Sequence, residues 1–88
     1  ALTDEAKQDI QRRILQEKQL PDFGLPVRKV SYMDGCKVYF DGGWIIVRFS
    51  GTEPRVRVFA EMETLRQADI LVKTMADFAG LPFTPDAR

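Results

Sequence analysis

The sequence has no histidine and a single cysteine, Cys36. Without histidine there is no Ser-His-Asp triad, no Cys-His pair and no His-bearing zinc site, so the commonest devices of nucleophilic and metal-assisted catalysis are excluded. One cysteine excludes an intrachain disulfide and fits a reducing compartment, with the cytoplasm as the expected location. Net charge is missing too: 13 Lys and Arg balance 13 Asp and Glu. No overall positive field is therefore available to gather nucleic acid or an anionic membrane. No apolar run approaches the roughly 18 residues of a membrane span, and "ALTDEAKQDIQRR" lacks the basic-then-apolar order of a secretory signal. The expected partners include neither nucleic acid nor membrane.

The 88 residues suffice to close one core but not to wall off a deep active site, so residues 1–88 read as one domain whose site is a surface loop. The first residue is Ala rather than Met and a helix starts within three residues of it, which suggests a piece cut from a longer chain.

From Thr3, "TDEAKQDIQRRILQEKQL" spaces Ala6, Ile10 and Ile14 four apart, one apolar stripe of a helix. Thr3 caps it, Asp4 and Glu5 suit its positive end, Lys18 suits its last turn, and Pro21 stops it. "PDFGLP" is a connector. Val27 to Met33 predicts a strand, Asp34-Gly35 a two-residue hairpin turn, and Cys36 to Phe40 a second strand with Cys36, Val38 and Phe40 on one face. Asp41-Gly42-Gly43 makes the next turn and Trp44 to Phe49 a third strand. Arg55 to Met62 alternates Val56, Val58, Ala60 and Met62 against Arg55, Arg57, Phe59 and Glu61. Thr64 with Gln67 matches a capping box, and Leu65, Ala68, Leu71, Val72, Met75, Phe78 and Ala79 follow helical spacing until Gly80 and Pro82 end the element. The tail after Phe83 reads as loose. The order predicts an α+β fold: a four-stranded antiparallel sheet with two helices packed on one face.

Between the third and fourth strands, Ser50-Gly51-Thr52-Glu53-Pro54 interrupts an apolar run at a cost, because Pro54 removes a ladder donor and Gly51 contributes no side chain. An ordinary hairpin turn flanked by solvated arginines would explain each residue singly. Together they say more. Gly51 lets backbone approach a ligand, Ser50 and Thr52 offer hydroxyls, the amides of such a turn can converge on an anion, and Arg48 carries a fork matched to two phosphate oxygens. From Arg48 to Arg57 there are three arginines and one acid, Glu53. That composition suits one phosphate group better than a polyanion.

The stretch "RFSGTEPRVRVFAE" closely resembles the Arg-x-Ser-Gly-Thr-Glu-Pro signature in the carboxy-terminal domain of the α-D-phosphohexomutases, which include phosphoglucomutase, phosphomannomutase and phosphoglucosamine mutase. The resemblance extends upstream through "DGCKVYFDGGWIIV" and into the final helix; Phe49 departs from the proline often found at its position. It implies the fourth domain of a four-domain enzyme of carbohydrate metabolism, with a fold like the repeat of the TATA-binding protein (α-β-β-β-β-α). It further implies that the loop holds the sugar-phosphate group that is not being transferred: Arg48 gripping it, Ser50 and Thr52 donating from their hydroxyls, and the Gly51 amide completing the cradle. Arg57 also lies in the family pattern, either touching ligand or holding Glu53 or Glu61. The phosphoserine, the Mg2+ loop and the sugar-selecting loop of such enzymes would lie in other domains of the parent chain.

The implied reaction interconverts a hexose 1-phosphate and its 6-phosphate through a bisphosphorylated intermediate, with this domain as an inactive-alone lid. Two alternatives come from other classes. A single-stranded RNA-binding module would use Tyr32, Tyr39, Trp44 and Phe59 for stacking, and a protein-interaction module would use the open sheet face. Zero net charge weighs against the first.

Overall fold

In a computed structural model describing residues 2–81, the chain runs α1 (Asp4–Gln11), β1 (Lys29–Ser31), β2 (Cys36–Phe40), β3 (Gly43–Phe49), β4 (Val56–Glu61) and α2 (Leu65–Ala79). The expectations for Pro82 and for the tail after Phe83 lie outside the described residues.

Thr3 caps α1 by accepting a hydrogen bond from the Ala6 amide at 3.1 Å. The helix does not continue to Pro21 as a regular α-helix. It passes into a π-helical turn over Arg12–Gln16, closed by the Glu17 amide on the Arg12 carbonyl at 2.9 Å, and Lys18 then adopts φ 56°. Lys18 therefore sits beyond the helix, with its ammonium 5.1 Å from the Tyr32 ring. The wider turn still carries Ile14 onto the same side as Ile10, and both are buried.

The sheet is an antiparallel meander in the order β1-β2-β3-β4. Its β2–β3 turn is Asp41-Gly42 alone, because Gly43 already pairs with Phe40. Gly43 must be glycine: a Cβ there would lie 1.9 Å from the Glu61 carbonyl oxygen. Arg28 ties the start of β1 to this turn through two bonds to Asp41, at 3.0 and 2.7 Å, and holds the Asp41 carboxyl below the usual carboxylate range.

Asp34-Gly35 is not a two-residue hairpin. Pairing ends at Ser31 and Lys37 and a longer loop crosses between β1 and β2, which leaves β1 shorter than the expected Val27 to Met33. Gly35, at φ 80°, crowds β3 so closely that a Cβ would stand 2.1 Å from the Val47 carbonyl oxygen.

Inward-facing Cys36, Val38, Phe40, Ile45 and Val47 meet Ile10, Ile14, Phe23, Leu71, Met75 and Ala79 in one core, so both helices cover one face of the sheet. Each large apolar side chain buried this way contributes on the order of 1.5 to 3 kcal/mol. Burial pushes the Cys36 thiol up to about 11. The Thr64 capping box is present in both directions at 3.1 Å. Gly80, at φ 75°, ends α2, with the Leu81 amide reaching back to the Ala76 carbonyl at 2.8 Å. The buried face of α2 departs from the expected stripe at two places: Leu65 is exposed and Ala76 is buried. Arg13, in the π-helical turn after α1, ties that turn to the end of α2, donating to the Phe78 carbonyl at 3.2 Å and the Ala79 carbonyl at 3.4 Å.

Candidate functional site

With one face of the sheet under helices, β-alternation turns Trp44, Ile46 and Arg48 of β3 and Arg57, Phe59 and Glu61 of β4 to the other. Arg48 and Arg57 are direct cross-strand partners. Just past them the ladder closes with the Ser50 amide on the Arg55 carbonyl at 3.1 Å, and the Arg55 amide turns back onto the Glu53 carbonyl at 2.8 Å. The second of these bonds folds the chain around Pro54, so β4 begins at Val56 rather than at Arg55.

Within the turn, Ser50 Oγ accepts from the Thr52 amide at 3.4 Å and the Glu53 amide at 3.1 Å. The convergence of amides expected for an anion is thus met by the protein's own hydroxyl oxygen, whose proton stays available to donate. The Gly51 amide has no acceptor among the described residues. Gly51 does not have positive φ, and a Cβ there would meet nothing within 4 Å.

Arg48, Phe49, Ser50, Glu53, Arg55 and Arg57 line an open depression of about 260 Å3, smaller than the roughly 300 to 1,000 Å3 that holds a drug-sized ligand. Of the residues singled out from sequence, Arg48, Ser50 and Arg57 come together here, while Gly51 and Thr52 stand exposed at the loop tip. Arg57 holds neither Glu53 nor Glu61: Glu53 pairs with Arg55 at 3.4 Å, and Arg57 has no ion-pair partner among the described residues.

Two contributors come from far along the chain. Asp34 reaches Arg48 at 3.3 Å, an exposed pair of the kind that contributes little to stability. The register explains it: Cys36 opposite Val47 puts Gly35 beside Arg48, and counting back from the Asp41-Gly42 turn could have revealed this. Lys7 of α1 donates to the carbonyls of Ser50 and Glu53, and no local signal pointed to it. Elsewhere on the open face, Lys37 lies 4.4 Å from the Trp44 ring and 5.0 Å from the Tyr39 ring. Tyr32 packs against the core instead of joining them.

The site is an open, arginine-lined turn at one end of a helix-backed meander, and residues 2–78 match the family described as phosphoglucomutase/phosphomannomutase, C-terminal domain. The chain belongs to this family. It is similar to a phosphoglucomutase/phosphomannomutase of Thermococcus kodakarensis, 48% identical over 40 residues covering 46% of this chain and 9% of the relative. A phosphopentomutase of the same organism is 36% identical over 69 residues, 77% of this chain and 15% of the relative. A probable phosphoglucosamine mutase of Methanococcoides burtonii is 54% identical over 33 residues, 38% of this chain and 8% of the relative. The chain thus spans a small part of the length of these enzymes. No helix among the described residues is long and apolar enough to cross a membrane.

Proposed function

We propose that this chain supplies the phosphate clamp of a sugar-phosphate mutase, holding the phosphate that stays in place while the other is transferred. The observation that carries this reading is the shared depression of Arg48, Ser50, Arg55 and Arg57, in which Arg57 lacks a carboxylate partner among the described residues. Arg48 exchanges the weakly held Asp34 for two phosphate oxygens, Ser50 donates its hydroxyl proton, and Thr52 and the Gly51 amide close over the group from the tip. Charge-assisted bonds of this type contribute about 1.5 to 3 kcal/mol each.

A clamp that reads only phosphate suits a reaction whose bisphosphorylated intermediate must present either end. Hexose and pentose phosphates would be held alike here, consistent with a phosphopentomutase among the relatives. The domain contributes positioning and closes as a lid against water. On this reading the phosphoserine and Mg2+ belong to other domains of the parent chain, where the metal supplies charge stabilisation. Among the described residues no three His, Cys, Asp or Glu gather into a metal-sized group. The same reading has the isolated chain inactive, acting in the cytoplasm only as part of that parent.

An amide-resolved NMR titration with inorganic phosphate and then glucose 1,6-bisphosphate, with Arg48→Ala as control, tests the reading. Shifts confined to residues 48–57 and lost in the variant support it. Absence of shifts at tens of millimolar, with Arg48→Ala indistinguishable from wild type, would leave an ordinary turn.

A further inference from the structure

Lys7 lies 43 positions before Ser50, yet its ammonium donates to the Ser50 carbonyl and, at 3.0 Å, to the Glu53 carbonyl. We propose that Lys7 is a positioning residue that holds the signature loop with its Gly51 amide free for phosphate. The proposal rests on the phosphate-clamp reading of that loop.

In a trans peptide the C=O and N–H point in opposite directions, and the described chain has no cis peptide. Drawing the Ser50 carbonyl toward α1 therefore aims the Gly51 N–H away from α1. The next two amides, of Thr52 and Glu53, are already engaged by Ser50 Oγ, so Gly51 offers the donor that the loop keeps open. The other carbonyl held by Lys7 belongs to the Glu53-Pro54 peptide, which has no N–H, so fixing it removes no donor. One ammonium thus spans both ends of the turn.

The same contact removes an obstacle. The Glu53 carbonyl also accepts from the Arg55 amide at 2.8 Å, so the Ser50 carbonyl is the one that Lys7 alone holds; left bare, that oxygen would repel the oxygens of an incoming phosphate, and bonded to an ammonium it presents less negative charge and is kept from swinging outward. Lys7 also adds a positive charge to the loop it binds, but a purely long-range charge would leave the loop's order untouched, and this separates the two roles.

The test is the phosphate titration of the 88-residue chain on wild type, Lys7→Met, Lys7→Arg and Arg48→Ala, with 15N relaxation measured before ligand is added. Lys7→Met is expected to keep the core resonances, to mobilise residues 50–53, and to lower phosphate affinity about fivefold as the loop's preorganisation is lost. Lys7→Arg, which can also bridge two carbonyls, is expected to restore most of the order and affinity. A Lys7→Met chain with wild-type loop relaxation and an unchanged Gly51 response overturns the proposal. If Arg48→Ala abolishes binding in that same experiment, the phosphate reading survives and only the role of Lys7 is lost. If wild type itself shows no phosphate response, both fall.

Discussion

Arg48 and Arg57 face each other directly across β3 and β4 on the open side of the sheet, two like charges in a cross-strand pair. Like charges placed this way destabilise a sheet, so the pair works against folding. Replacing Arg57 by Gln is expected to leave stability unchanged or raise it by about 0.2 to 1 kcal/mol, while weakening phosphate binding about tenfold through loss of a charge-assisted contact. Denaturant midpoints and the NMR titration read the two effects separately. A variant that loses stability and keeps its affinity would assign Arg57 to the scaffold.

Two glycines near the site are expected to behave oppositely. Gly43→Ala places a methyl 1.9 Å from the Glu61 carbonyl oxygen, and prising β3 from β4 should cost about 2 kcal/mol or more. Gly51→Ala meets open space and should stay within about 0.5 kcal/mol of wild type, yet bind phosphate more weakly because the methyl stands beside the approaching ligand. Thermal melts of both variants, and a phosphate titration of the second, check this.

Stability is expected to fall on the alkaline side. The folded chain holds the Cys36 proton to about 11 while an exposed thiol releases it near 9.0. Above pH 9 the unfolded state therefore binds fewer protons and is favoured progressively as pH rises. The loss approaches about 2 to 3 kcal/mol by pH 11. Tyr32, also raised by burial and by Cys36, adds to it at the upper end. Urea melts between pH 7 and pH 10.5 measure the slope, and Cys36→Ala should remove the part that begins near pH 9.

Thr64→Ala deletes one half of a reciprocal cap and is expected to cost about 1 kcal/mol. Because α2 covers the sheet from the face away from the arginines, phosphate affinity should be unchanged. A parallel loss of affinity would mean that α2 controls the loop.

Much of this architecture was legible because the signals were local. Strand alternation put Val56, Val58 and Ala60 against the core, Thr64 and Gln67 marked the start of α2, and the Ser-Gly-Thr-Glu-Pro break sat where the chain does turn. What escaped depended on atoms distant in sequence. Whether Asp34-Gly35 was a tight hairpin or part of a longer crossing depended on how closely β3 lay behind it, and Gly35 answers a contact with Val47 that no dipeptide preference reports. The π-helical turn at Arg12–Gln16 was likewise not signalled by the helical spacing of Ala6, Ile10 and Ile14. Lys7, on a helix read for its apolar stripe, cap and end charges, was invisible as a partner of Ser50 for the same reason.

Because every pair of neighbouring strands in the order β1-β2-β3-β4 is also consecutive along the chain, the meander can zip from its turns with short loops to close. The bonds from Lys7 to Ser50 and Glu53 join residues 43 and 46 positions apart, and their loop-closure cost favours forming them after the sheet. The tether from α1 to the Ser50–Glu53 loop is therefore expected to be completed after the rate-limiting step of folding. In stopped-flow chevrons, Lys7→Met should steepen nothing and slow nothing on the refolding arm, and its destabilisation should appear as faster unfolding.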